Sequence, residues 1–183
     1  GIQAIQTLWA GPWMLNISGY SPLQSATGLF WINITMLISY LIWGYILPKI
    51  SEYGVSSIKL IKLGLPVSYF SLFLIIYFGE NAGAFLFTIY IMTSIVISLT
   101  QPAIALNFSK NLAGKSLTSY NVFLFSGTFF IQWGIGLVID LCNNKGFDIV
   151  SSYRISFSAF LILCVLSYIF FIYLNKKKYE NKT

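Results

Sequence analysis

Histidine is absent from this chain, which removes imidazole metal ligands and histidine general bases together. Charge is nearly absent as well. Eleven basic and five acidic side chains make up 9% of 183 residues, where a soluble domain carries roughly a quarter. A surface so poor in charge has too little to offer water. Cysteine occurs only at Cys142 and Cys164, without metal-ligand spacing. One falls in a link and the other inside an apolar segment, so no disulfide between them is expected. Gly-rich phosphate loops, paired carboxylates and nucleophile–base constellations are missing too, so neither catalysis nor a cofactor is expected. The net charge of +6 raises the question of nucleic acid. Its basic residues lie in short links and a tail between apolar segments, and nucleic acid is not an expected partner.

What is there is apolar sequence, 57% of the chain, arranged in runs. No charge occurs from Gly1 to Pro48, Leu63 to Gly79, Asn81 to Ser109, Ser116 to Ile139 or Ile155 to Asn175. A spanning helix needs about 20 predominantly apolar residues, and these runs approach or exceed that. Membrane β-barrel strands would alternate apolar and polar residues over about ten positions. These runs are continuously apolar, so helices are expected. The fold predicted is an all-α polytopic membrane bundle of six transmembrane helices, the first truncated. They cover about 2–15, 23–47, 58–78, 83–106, 115–141 and 152–174, with a tail over 175–183. Pro48 is expected to stop the second helix, Pro66 to kink the third, and Pro102 to bend the last turns of the fourth. The chain opens inside apolar sequence, with no initiator methionine, basic leader or cleavage site, and reads as a fragment.

Orientation follows from the basic residues, which favour the cytoplasmic side. With alternate links sharing a side, Lys49, Lys59, Lys62, Lys110, Lys115, Lys176, Lys177, Lys178 and Lys182 fall together. Only Lys145 and Arg154 fall opposite. The richer side, with the carboxy terminus, is expected in the cytoplasm.

Polar residues inside spans either bond neighbouring helices or line a water-filled path. At about 100° per residue, Asn121, Thr128 and Gln132 share one face of the fifth segment, with Thr118. Ser116, Gly127 and Gly134 share another, suited to close helix contact. Tyr90, Ser94 and Gln101 form a stripe on the fourth segment. Asn33 and Tyr40 do so on the second, and Gln3, Gln6 and Trp9 on the first. These stripes are the candidate substrate-cavity residues, and Gly127 and Gly134 are candidate packing residues. The amides could equally serve only to bond helices. The third and sixth segments, mostly apolar, are expected to face lipid. No Asp, Glu, Lys or Arg lies deep in any segment.

Two runs carry a resemblance. Leu8-Trp9-Ala10-Gly11-Pro12-Trp13, and Ala113-Gly114-Lys115-Ser116-Leu117-Thr118-Ser119-Tyr120-Asn121 continuing through Phe125, Gly127 and 132–140, resemble the seventh and eleventh helices of bacterial major facilitator superfamily transporters. Gly44-Tyr45-Ile46-Leu47-Pro48-Lys49 resembles that family's loop between helices eight and nine. It departs from the pattern at Pro48, where the family has Asp, and lacks the following Gly-Arg-Arg. The resemblance covers nearly the whole chain as a carboxy-terminal six-helix half. It implies a twelve-helix secondary transporter of the bacterial inner membrane, completed by an amino-terminal six-helix half. A small-molecule substrate would bind near the bilayer midplane, and rocking of the halves would alternate access. The first, second, fourth and fifth helices would approach the cavity, the third and sixth would be peripheral, and Gly127 and Gly134 would keep helix contacts smooth. The other function class left open is a stand-alone six-helix membrane scaffold or assembly subunit without transport activity.

Overall fold

In hydrocarbon no water is available to satisfy backbone N–H and C=O groups, so a spanning chain must satisfy them within each segment. The computed structural model describes residues 1–180, and every regular element among them is helical. Helix α1 covers residues 2–16 as Ile2–Ala4, a π turn at Ile5–Trp9, and Ala10–Asn16. Five longer helices follow: α2 (Pro22–Glu52), α3 (Ser57–Phe78), α4 (Ala84–Asn107), α5 (Lys110–Asn144) and α6 (Ile149–Glu180). All five are long and apolar enough to cross a membrane, and the chain is a helical membrane protein. At 1.5 Å per residue α1 reaches only about 22 Å, short of the roughly 30 Å hydrocarbon core.

Local chemistry sets the boundaries. The Ser21 side chain accepts from the Gln24 backbone N–H, and the Gln24 side chain accepts from the Ser21 N–H. With Pro22 at the first helical position, this capping box starts α2. Ser56 caps α3 through the Lys59 N–H. That helix ends at Gly79, whose φ of 55° is a conformation other residues resist. Asp148 accepts from the Ser151 backbone N–H at 2.9 Å, where α6 begins. The Ser151 side chain, then its backbone N–H, hold the Asp148 carboxyl below its ordinary value of 3.8. The small contribution of this exposed cap is complete above pH 3.8 and is lost as pH falls through the lowered value.

Prolines act differently from expectation. Helix α2 runs past Pro48 to Glu52. The proline ring crowds the carbonyl of residue 44, four positions back, and removes one ladder donor without ending the helix. Pro66, expected to kink α3, lies inside a helix that continues on both sides of it. In α4 the distortion lies upstream of Pro102 instead of in the last turns, as a 3₁₀ stretch at Ile95–Leu99. Pro102 cannot donate to the Ser98 carbonyl, and tighter winding moves that carbonyl out of the ring's way. The π turn of α1 stands in the same relation to Pro12, with the Ala10 N–H reaching back to the Ile5 carbonyl. The expected basic link over 107–114 shrinks to Phe108 and Ser109, because α5 already begins at Lys110. The expected tail is helical through Glu180, and 181–183 lie outside the described residues.

Helix α3 packs against α4 and α6, α4 reaches α2 on one side and α5 on the other, and α5 pairs with α6. Short α1 lies among α2, α5 and α6. Its buried Trp13 indole packs 4.7 Å from the Phe157 ring and 6.1 Å from both Phe87 and Tyr153. The links at one end are tied together across the bundle. Ser18 donates to the Ala82 carbonyl at 2.8 Å, the Ala84 N–H to the Tyr20 hydroxyl at 3.3 Å, and Arg154 to the Tyr77 carbonyl at 3.4 Å. Helix α3 keeps Leu63, Val67, Phe70, Phe73 and Tyr77 exposed on one face while its other face packs inside the bundle. Its most apolar stretch is 39% buried, as is that of α4, against 11% for α2 and α5. Wedged between α4 and α6, α3 has two neighbours to cover it.

Two glycines permit the tightest crossings. A Cβ at Gly28 would stand 2.9 Å from both the Ala84 Cβ and the Met14 Sδ; one at Gly64 would stand 2.8 Å from a Val96 methyl. Glycine to alanine inside a helix ordinarily stabilises by roughly 0.5–1 kcal/mol. Here the sign should reverse, with overpacking costing about 1–3 kcal/mol. Gly28→Ala and Gly64→Ala should lower the melting temperature in detergent, while Gly44→Ala, with nothing within 4 Å, should leave it unchanged or raise it.

Candidate functional site

A cavity of about 470 Å³ opens inside the bundle where the start of α1 meets α2, α3, α4, α5 and α6. Four of the expected cavity residues line it: Gln3, Tyr40, Gln101 and Thr128. Gly127, expected to pack a neighbouring helix, lines it too, and a Cβ there would meet nothing within 4 Å. Gly134 is equally open, so neither glycine makes a close helix contact within this chain. Helix spacing puts Tyr120, Leu124, Gly127, Thr128 and Ile131 of α5 on one stripe, and all five line the cavity.

The remaining expected residues are placed elsewhere. Gln6 is buried and donates to Asn33 Oδ1 and Met36 Sδ, both at 3.1 Å. Asn33 in turn donates to the Leu29 carbonyl at 2.7 Å. The Trp9 indole N–H donates to the Gln132 carbonyl at 3.2 Å, and the Gln132 amide to the Thr7 hydroxyl at 2.8 Å. These four residues tie α1 to α2 and α5. Tyr90 and Ser94 are buried in the core where α4 packs, away from the cavity lining. Asn121 is exposed on α5, one position beyond the stripe.

Tyr69, Ser98, Tyr120, Cys164 and Ser167 line the cavity without having been singled out. Tyr120 was legible: it lies eight residues before Thr128, on the same helical face. Its hydroxyl is 2.6 Å from that of Thr100, which donates to the Ile97 carbonyl at 2.7 Å. Since Thr100 has one proton to give, Tyr120 is the donor between them. Tyr69 and Ser167 gave no such signal, being on the helices assigned to lipid. Tyr69 is half-buried, edge-on to Tyr168 at 6.0 Å.

Among the described residues no charged side chain lines this cavity, which the Gly1 backbone borders at the start of α1. Both cysteines are free, and among the described residues no three His, Cys, Asp or Glu groups come together. The arrangement therefore offers shape, aromatic faces and neutral hydrogen-bonding groups. Comparison with protein-family models, curated proteins and solved structures gives no match to this chain.

The hydrogen bonds separate two roles that residue type leaves together. Gln6→Leu strips Asn33 of its donor and should cost about 0.6–1.7 kcal/mol, the range for interhelical polar pairs in membranes. Asn121→Leu should leave stability within about 0.5 kcal/mol, as an exposed substitution with no partner to lose. Thermal melts of both variants in one detergent decide the point, and a larger loss for Asn121→Leu would contradict it.

Proposed function

We propose that this chain is the carboxy-terminal half of a secondary transporter that moves a small solute across a membrane by alternating access. The observation that carries the reading is the cavity of about 470 Å³, open on one side and lined by neutral side chains from five apolar helices and the start of a sixth. Its size falls within the roughly 300–1,000 Å³ range of small-molecule sites. In this reading α1 is the first of six spans, and the little-buried faces of α2 and α5 receive the amino-terminal half. Lys49, Lys59, Lys62 and Lys115 lie at one end of the bundle, with the Lys176 terminus, and this end faces the cytoplasm by the positive-inside rule. The membrane is the bacterial inner membrane, as the family resemblance implies.

A stand-alone scaffold is favoured by one observation, the engagement of Gln6, Trp9, Asn33 and Gln132 in helix-to-helix bonds. It leaves the cavity without a use, and the transporter reading stands ahead of it.

The test is flux. The product of the whole reading frame, reconstituted in vesicles, should move at least one neutral solute of a radiolabelled panel down or against an imposed gradient. Gln101→Leu should lower that rate roughly tenfold, the equivalent of one hydrogen bond worth about 1.4 kcal/mol. Absence of gradient-driven movement across a broad panel would favour the scaffold.

A further inference from the structure

We infer that α3 carries a proline hinge at Pro66, which the Tyr168 hydroxyl of α6 latches shut. The device is independent of any solute and holds for a transporter and a scaffold alike. Inside a helix, the carbonyl four residues before a proline loses its ladder donor. For Pro66 that carbonyl belongs to Lys62, and Tyr168 donates to it at 2.8 Å. Beside Pro12 and Pro102 the helix rewinds itself. Here a side chain from another helix replaces the missing N–H, and α3 stays α-helical from Ser57 to Phe78.

Packing aims the hydroxyl. Tyr168 is half-buried, its ring edge-on to Tyr69 at 6.0 Å, and both rings join Phe171 in packing against the buried Ile61 and Leu65. Because the donor lies on α6, α3 keeps it only while the two helices stay docked. Withdrawal leaves the Lys62 carbonyl unpaired, which is costly in hydrocarbon. Water is near, however, since the same segment carries Lys59 and Lys62, whose ammonium groups must reach the headgroup boundary. The released carbonyl can exchange Tyr168 for water, and residues 57–65 can then loosen about Pro66.

The surroundings permit this. A gap of about 300 Å³, lined by Ser56, Ser57 and Ile58 and by Ala103, Leu106 and Asn107 of α4, leaves room for the start of α3 to tilt. Gly64, held against Val96, is the fixed point next to the hinge. The part of α3 beyond Pro66, which carries Tyr69 to the larger cavity, stays in place.

Amide hydrogen exchange of the full chain in lipid nanodiscs tests the latch. Tyr168→Phe removes the hydroxyl and keeps the ring. It should speed exchange over residues 57–65 roughly three- to tenfold, the equivalent of one interhelical hydrogen bond in a membrane. Residues 70–78 should change by less than about twofold. Pro66→Ala gives the Lys62 carbonyl a ladder donor of its own. In that background Tyr168→Phe should alter exchange over residues 57–65 by less than about twofold. Should Pro66→Ala insert poorly, Pro66→Leu restores the same N–H. Equal acceleration in both backgrounds means that the hydroxyl acts elsewhere, and overturns the latch. No acceleration in the parent chain, or one spread evenly along α3, overturns it too.

Discussion

The polar backbone of a chain without water around it dictates this structure. Each N–H and C=O left unpaired in hydrocarbon costs several kcal/mol, far more than any side-chain preference can return. Long helices follow from that constraint, and so does the behaviour of the prolines. In α4 and α1 the ladder is rewound into 3₁₀ and π turns beside Pro102 and Pro12. Elsewhere it continues past Pro48 and Pro66. Breaking the helix is the option least often taken, because there is no solvent to accept the exposed groups.

The same medium changes what holds helices together. Lipid chains are as apolar as leucine, so the bundle gains little from hiding apolar side chains from them. Close approach and hydrogen bonding carry more of the burden. Gly28 brings α2 against α1 and α4, and Gly64 brings α3 against α4, while the amides of Gln6 and Gln132 connect α1 with α2 and α5. Polarity in the interior therefore divides into two stocks. One is spent on internal bonds, and the other, at Gln3 and Gln101, stays open to the cavity.

The five long helices were readable from their charge-free runs, because the bilayer imposes a length on apolar sequence. Their ends were less so: α2, α5 and α6 extend several residues past the apolar stretches, through Lys49, Lys110 and Asn175, since a helix can continue into the interface where polar side chains meet water. The site was half legible. Helical periodicity finds which residues share a face, and Gln3, Tyr40, Gln101 and Thr128 are the ones among them that line the cavity. It cannot say whether that face meets a neighbour or a void, and so Gln6, Trp9, Asn33 and Gln132 were grouped with them. Nor does it see a tyrosine such as Tyr69, brought in from a helix whose sequence looks uniformly apolar.

Helix α4 is gripped twice, by Gly28 from α2 at Ala84 and by Gly64 from α3 at Val96. Contacts this tight act as mechanical stops, because sliding α4 along either neighbour would drive bulkier positions into the gap. Helices α2, α3 and α4 thus behave as one stiff plate. Any change in the shape of the enclosed space must come from the opposite wall, where α1 and α5 meet through amide and hydroxyl contacts that can be exchanged without repacking.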